Sequence, residues 1–150
     1  MATVTVMNPI TKQEKEKIKV CAYCRVSSDS DDQENSYFTQ IDYYTNYINT
    51  KPDWELVEIF ADEGITGTRA DKRKEFQRML SLCRKHKIDL ILTKSISRFA
   101  RNVRDCLNYA RELKLLNIGI IFEKEGINTS EMTSELMLAI FGSLAESESL

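Results

Sequence analysis

A serine and three arginines, held in two short stretches, are the residues of this chain best suited to chemistry. In Tyr23-Cys24-Arg25-Val26-Ser27-Ser28 a hydroxyl nucleophile stands two residues after a guanidinium. Residues two apart on an extended backbone leave the same face, so Arg25 and Ser27 point together if this stretch is a strand end. In Lys94-Ser95-Ile96-Ser97-Arg98-Phe99-Ala100-Arg101-Asn102 two more arginines lie three apart. A helical turn would put that pair on one side. Guanidinium forks are permanently charged and match phosphate oxygens. Phosphoryl transfer asks for positioning and charge stabilisation more than for covalent machinery, and Ser27 supplies the attacking hydroxyl of a phosphoserine link. Such a link conserves the energy of the broken phosphodiester, so a strand can be rejoined without a nucleotide cofactor. The first stretch alone reads more readily as a basic surface residue beside a loop serine. The second stretch moves the balance to chemistry.

Other chemistries fit less well. Cys21-x-x-Cys24 with Cys83-x-x-His86 imitates a zinc pattern. Cys21 and Cys24 are an odd number apart, however, and a strand would face them oppositely. A redox role for this pair lacks a helix start. His86, the one histidine, sits among lysines at a helix end, so no Ser–His pair is offered. Neither the Walker pattern nor the dinucleotide fingerprint is present, and the two glycines of Asp62-Glu63-Gly64-Ile65-Thr66-Gly67-Thr68 are too few for a phosphate-cradling loop. The expectation is no cofactor and no metal.

The elements that position these residues follow from periodicity. Ile18–Cys24 reads as a first strand, and the Ser- and Asp-rich run 27–35 as its loop. Tyr37, Ile41, Tyr44 and Ile48 mark an amphipathic helix over 36–49, its aromatics read as packing. Strands are expected at 54–61, 89–93 and 118–122, and helices at 74–86 and within 97–116, with Val103, Leu107, Ala110 and Leu113 inward. Alternating strands and helices imply an α/β fold, with a central, mostly parallel sheet of about four to five strands flanked by helices. Sites in such sheets form at the carboxyl ends of strands. Ser27, the 64–73 segment and the 94–101 segment all fall there.

Composition bounds the rest. The length suits one domain with a real core. The segment 1–17 reads as a polar arm, 18–132 as the catalytic domain and 133–150 as the start of a long helix that is cut short. No apolar run of membrane or signal-peptide type stands out, so a cytoplasmic protein with reduced thiols is expected. Net charge is −2, yet residues 69–104 hold 12 of the 21 Lys and Arg against Asp71, Glu75 and Asp89. That local +9 could present a positive face to a polyanion. Leu136-Met137-Leu138-Ala139-Ile140-Phe141 is apolar all round, which one domain face cannot cover. A partner chain is the favoured reading.

Taken in order, Tyr23-x-Arg25-Val26-Ser27, Asp62-Glu63-Gly64-x-Thr66-Gly67-Thr68, Arg73-x-x-Phe76, Asp89-Leu90-Ile91 and Ser97-Arg98-Phe99-Ala100-Arg101-Asn102 resemble the catalytic domain of serine recombinases of the resolvase/invertase type. The large integrases and transposon recombinases are the most similar subgroup. The resemblance spans roughly 19–150. It implies that Ser27 attacks DNA to leave a 5′-phosphoserine and a free 3′-hydroxyl, with Arg25, Arg98 and Arg101 binding the phosphoryl group. Tyr23, Gln40, Arg73, Ser97 and Glu148 match supporting positions, and Lys94 and Arg104 are candidate further phosphate contacts. It also implies double-stranded DNA recombination sites as substrate, and a dimer that becomes a tetramer in synapsis, with the apolar helix as interface. Ser97 departs from the pattern, standing where many members carry aspartate, and Gln40 follows Ser27 at a longer spacing than in small resolvases. Ser28 is a rival hydroxyl that the spacing from Tyr23 and Arg25 disfavours. Two other functions compete. One is a catalytically silent assembly module of the same fold. The other is a phosphodiesterase acting on small esters.

Overall fold

The computed structural model describes residues 16–64 and 72–148. Its elements are β1 (Ile18–Val26), α1 (Tyr37–Asn49), β2 (Trp54–Glu63), α2 (Lys74–Arg84), β3 (Leu90–Thr93), α3 (Ile96–Phe99), α4 (Val103–Leu115), β4 (Gly119–Phe122), β5 (Ile127–Asn128), a single 3-10 turn (Thr129–Glu131) and α5 (Ser134–Glu148). The strands form one sheet in the order β2-β1-β3-β4-β5. The β2–β1, β1–β3 and β3–β4 pairs are parallel and β5 is antiparallel to β4. The chain therefore moves outward from β1 in both directions, and a crevice opens at the carboxyl ends of β1 and β3, where the order reverses.

Alternation along β1 divides the core. Cys21 and Tyr23 face one hydrophobic cluster, with Phe76, Phe99, Cys106, Phe122, Met137 and Phe141. Val20, Ala22, Cys24 and Val26 face a second, with Tyr44 and Ile48. Thus α1 covers one side of the sheet while α2, α4 and α5 cover the other. Burying each large side chain contributes about 1.5–3 kcal/mol, and Tyr23, Phe60, Phe76, Phe99 and Phe122 are all fully buried. The Cys21 and Cys24 thiols lie on opposite faces and do not converge, and all four cysteines are free and buried.

Helix ends are closed by local chemistry. Ser36 caps α1 by accepting from the Thr39 N–H. Helices α2 and α4 end alike: His86 (φ 59°) and Asn117 (φ 61°) adopt the left-handed turn. The paired bonds follow, Lys87 N–H to the Leu82 carbonyl and His86 N–H to Cys83, then Ile118 N–H to Leu113 and Asn117 N–H to Lys114. His86 is thus part of a helix stop.

Several expectations need correction. The buried face of α1 is Gln40, Tyr44 and Ile48. Tyr37, Phe38 and Tyr43 point outward, Phe38 78% exposed, so the aromatics do not all pack. Arg98 and Arg101 do not share a helical turn: α3 stops at Phe99 and Ala100 is extended (φ −141°, ψ 164°). The basic cluster does not form one face. Arg84 pairs with Glu112 and Arg78 with Glu58 and Glu75, and α2, running against the strands, carries Arg84, Lys85 and Lys87 to the end of the sheet opposite Ser27. The strand β5 was not foreseen. The 133–150 helix is seen through Glu148; Met137 and Phe141 dock it while Leu136 and Leu138 are exposed. Expectations for most of the 1–17 arm, for Ile65–Thr68, and for Ser149 and Leu150 fall outside the described residues. Among those described, no helix is long and apolar enough to cross a membrane.

Candidate active site

Ser27 is the first residue beyond β1, at the crevice. Its backbone N–H donates to the Asn35 carbonyl (2.9 Å), which closes the 27–35 loop at its base. Its Oγ accepts from the Asp29 N–H at 3.1 Å. Further bonds stay inside the loop: Asp31 N–H to Asp29 Oδ1, and Asn35 to the Asp32 carboxylate. Gln40 holds the loop from α1, its Nε2 donating to the carbonyls of Arg25 (3.0 Å) and Asn35 (3.2 Å). An amide that must reach two carbonyls at once accounts for a polar residue on the buried face of α1.

Arg25 and Tyr23 precede Ser27 on the same side of β1. The Arg25 Nη2 donates to the carbonyl of Gly64 at the end of β2. Gly64 has φ +119°, and a Cβ there would come within 3.2 Å of that guanidinium. A side chain at this position would both strain the backbone and press on Arg25. Tyr23 is wholly buried and its hydroxyl donates to Asp62 Oδ2 (2.9 Å). Burial, ahead of all else, pushes its phenol pKa up, and Arg73 opposes that shift, so Tyr23 is a neutral hydrogen-bonding group.

Asp62, the last but one residue of β2, joins three elements. Besides Tyr23, its carboxylate accepts from the Glu75 (2.9 Å) and Phe76 (3.0 Å) N–H groups, at the start of α2. The residue preceding α2, Arg73 (φ 44°), makes no side-chain cap, so Asp62 caps the helix from β2. Arg73 is itself buried. It donates through Nε to the Tyr23 hydroxyl (3.3 Å) and through Nη2 to the Phe99 carbonyl, and its guanidinium lies 3.6 Å from the centre of the Phe76 ring.

The arginine-bearing segment 95–103 is fastened by residues far away in sequence. Ser95 caps α3, accepting from the Arg98 N–H (3.3 Å), and Glu125 Oε1 accepts from the Ile96 N–H (3.1 Å). Phe99 packs edge-on against Tyr23, Phe76, Tyr109 and Phe122. Asn102 caps α4 through the Asp105 N–H (2.8 Å), and the Glu148 carboxylate accepts from the Val103 N–H (3.1 and 3.2 Å). Glu148 therefore ties α5 to the residue two beyond Arg101.

The expected site residues thus divide. Tyr23, Arg25, Ser27 and Gln40 form one connected group through β1 and its loop. Arg73 joins Tyr23 to the Arg98 segment. Arg101 lines a polar cavity of about 450 Å³ with Lys72, Arg73, Gln77 and Asp105; Ser27, Arg25 and Arg98 are not among its lining residues. Ser97 is exposed, its Oγ 3.0 Å from that of Ser95. Lys94 lies 3.5 Å from Glu34, and Arg104 is exposed. Among the described residues no group of three or more His, Cys, Asp or Glu could hold a metal. Reading the sequence missed Asp62, Glu125 and Asn35. Only Asp62 had a signal, its place in the Asp62-Glu63-Gly64 run.

A family model described as "Resolvase, N terminal domain" matches residues 20–150. The chain is similar to the N-terminal catalytic domain of TP901-1 integrase, with 29% identity and a TM-score of 0.67 over 87% of this chain and 95% of that one. It is similar to a resolvase family site-specific recombinase from Streptococcus pneumoniae, with 29% identity and a TM-score of 0.70 over 88% of each chain. The C-terminal catalytic domain of ISC1926 TnpA, an IS607-like serine recombinase, is 25% identical with a TM-score of 0.58 over 71% of this chain and 70% of that one. No curated protein sequence matches significantly.

Proposed function

The chain belongs to the resolvase family of serine recombinases, and from that premise we propose that it is the catalytic domain of a site-specific DNA recombinase with Ser27 as nucleophile. The observation that carries this reading is the placement of Ser27. It directly follows β1 at the reversal of strand order, two residues after Arg25, with the Arg98 segment directly after β3.

The Ser27 Oγ attacks a DNA phosphorus, a Ser–O–P bond forms and the P–O3′ bond breaks. The serine gives up its proton and the departing 3′-oxygen gains one, so the products are a 5′-phosphoserine and a 3′-hydroxyl. One phosphodiester replaces another, and reversal by a 3′-hydroxyl rejoins the strand. Arg25, Arg98 and Arg101 stabilise the charge on the phosphoryl oxygens. Tyr23, Asp62 and Arg73 keep β1, α2 and the Arg98 segment in fixed relation. The exposed Leu136 and Leu138 on α5 fit an interface with further copies of the chain, as exchange between two DNA sites requires.

The test is strand cleavage. The chain, delivered to nicked duplexes by a fused zinc-finger array, should leave a 3′ end that a polymerase extends and a 5′ end that a kinase cannot label. Ser27→Ala should abolish both products without loss of folding, and Ser28→Ala should retain them. Retention in Ser27→Ala refutes the assignment. A folded, DNA-bound wild type with no cleavage favours the catalytically silent assembly module.

A further inference from the structure

The turn between β4 and β5 is bonded to the segment leading into α3 at three successive points. The Glu123 N–H donates to the Thr93 carbonyl (3.0 Å) and the Lys124 N–H to the Lys94 carbonyl (2.8 Å). Glu125 Oε1 then accepts from the Ile96 N–H (3.1 Å). The first bond continues the parallel β3–β4 ladder one step past the strand ends, and the second joins the turn that follows β4 to the residue after β3. The third uses a side chain because the two backbones part there. Ile96 enters α3, and Gly126 (φ 67°) turns the other chain back into β5.

A helix as short as α3 has no stable interior and depends on its ends. Its far end is fixed by the buried Phe99 and by the bond from Arg73 to the Phe99 carbonyl. Its near end is held by Ser95 and Glu125. Arg98 lies between. Glu125 is itself exposed, and it is its Oε1 that reaches in to the start of α3.

We propose that Glu125 is a positioning residue for Arg98, its carboxylate fixing the first turn of α3 so that the Arg98 guanidinium is aimed at the reacting phosphate. This rests on the recombinase reading for the role of Arg98. Without Glu125 the near end of α3 loosens while Phe99 stays anchored, so Arg98 loses aim without unfolding of the domain. A small misplacement of a charged group at a reacting centre is enough to cost about a hundredfold in rate.

Three variants test this by hydrogen exchange over residues 94–102 and by the rate of phosphoserine formation. Glu125→Ala removes the acceptor. Glu125→Asp keeps the charge but is too short to reach. Glu125→Gln keeps an oxygen at the same reach. The Ala and Asp variants should exchange the Ile96 and Arg98 amides at least about tenfold faster and form adduct about ten- to a hundredfold more slowly at unchanged DNA affinity. Gln should restore both. Unchanged exchange in the Ala and Asp variants overturns the proposal. So does faster exchange with an unchanged adduct rate, or an Asp variant that behaves like Gln. If exchange responds as expected but the wild type forms no adduct, the clasp on α3 stands, and the recombinase reading falls together with the catalytic role given to Arg98.

Discussion

The 27–35 loop and the 95–103 segment lie at the same carboxyl end of the sheet but are held in opposite ways. The 27–35 loop is closed mostly by its own residues, Asn35 to Ser27, Asp29 to Ser27 and Asp32 to Asn35, with Gln40 and an exposed Lys94–Glu34 pair as outside supports. The 95–103 segment is held by Arg73, Glu125 and Glu148, each from a different part of the chain, and by the fully buried Phe99. A locally bonded loop can shift without disturbing the core, whereas a segment fastened at a distance moves only when its supports move. The contrast suits a site in which the hydroxyl must approach and later leave a phosphorus while the charges around it stay fixed.

Breaking a distant support should have the largest effect. Asp62→Ala removes the acceptor for Tyr23 and for two N–H groups at the start of α2, and should lower stability by about 3 kcal/mol in urea unfolding. An effect under about 0.5 kcal/mol, the level of ordinary surface changes, would show that the hub does not hold the two regions together. Next comes the alkaline limb. Burial pushes the Cys24 thiol up to about 12, with Glu123 adding to the shift, and burial likewise pushes the Cys83 thiol up to about 12. A pKa raised on folding favours the protonated form, so this stability is full below about pH 9 and is lost as pH rises toward 12. Urea midpoints that do not move between pH 9 and 12 would contradict this burial.

Smaller changes sharpen the contrast. Asn102→Ala deletes the cap of α4 and should cost about 1 kcal/mol, with faster amide exchange in the first turn of α4. Asp32→Ala, in the nucleophile loop, should change global stability by less than about 0.5 kcal/mol while speeding exchange at Asn35. If Asp32→Ala proves the more destabilising of the two, the division between a locally held loop and a remotely held segment is wrong.

These two regions also differ in how much the sequence disclosed. Strands β1, β3 and β4 are apolar runs between polar breaks, so the parallel sheet and the placement of Ser27 at a strand end could be read directly. The caps Ser36 and Asn102 obey a local rule and lie beside their helices. Asp62 does not: it caps α2 from 13 and 14 residues away, beyond the reach of any periodic pattern. Gln40 stood out only through the family resemblance, because its bonds to two carbonyls of a loop become visible only once the fold closes that loop. The break between Arg98 and Arg101 was missed because three-residue spacing suggests a helix, whereas Asn102 starts a new one.

The proposed reaction turns on the hydroxyl at the end of β1, and mass spectrometry of the trapped complex tests it most directly. After cleavage of nicked DNA by the zinc-finger-tethered chain, nuclease and trypsin digestion should yield the Ser27 peptide carrying a nucleotide phosphate, with fragment ions placing it on Ser27. An adduct on Ser28 would keep the reaction and overturn the nucleophile. An unmodified peptide from DNA that has nonetheless been cut would contradict covalent catalysis by this serine altogether.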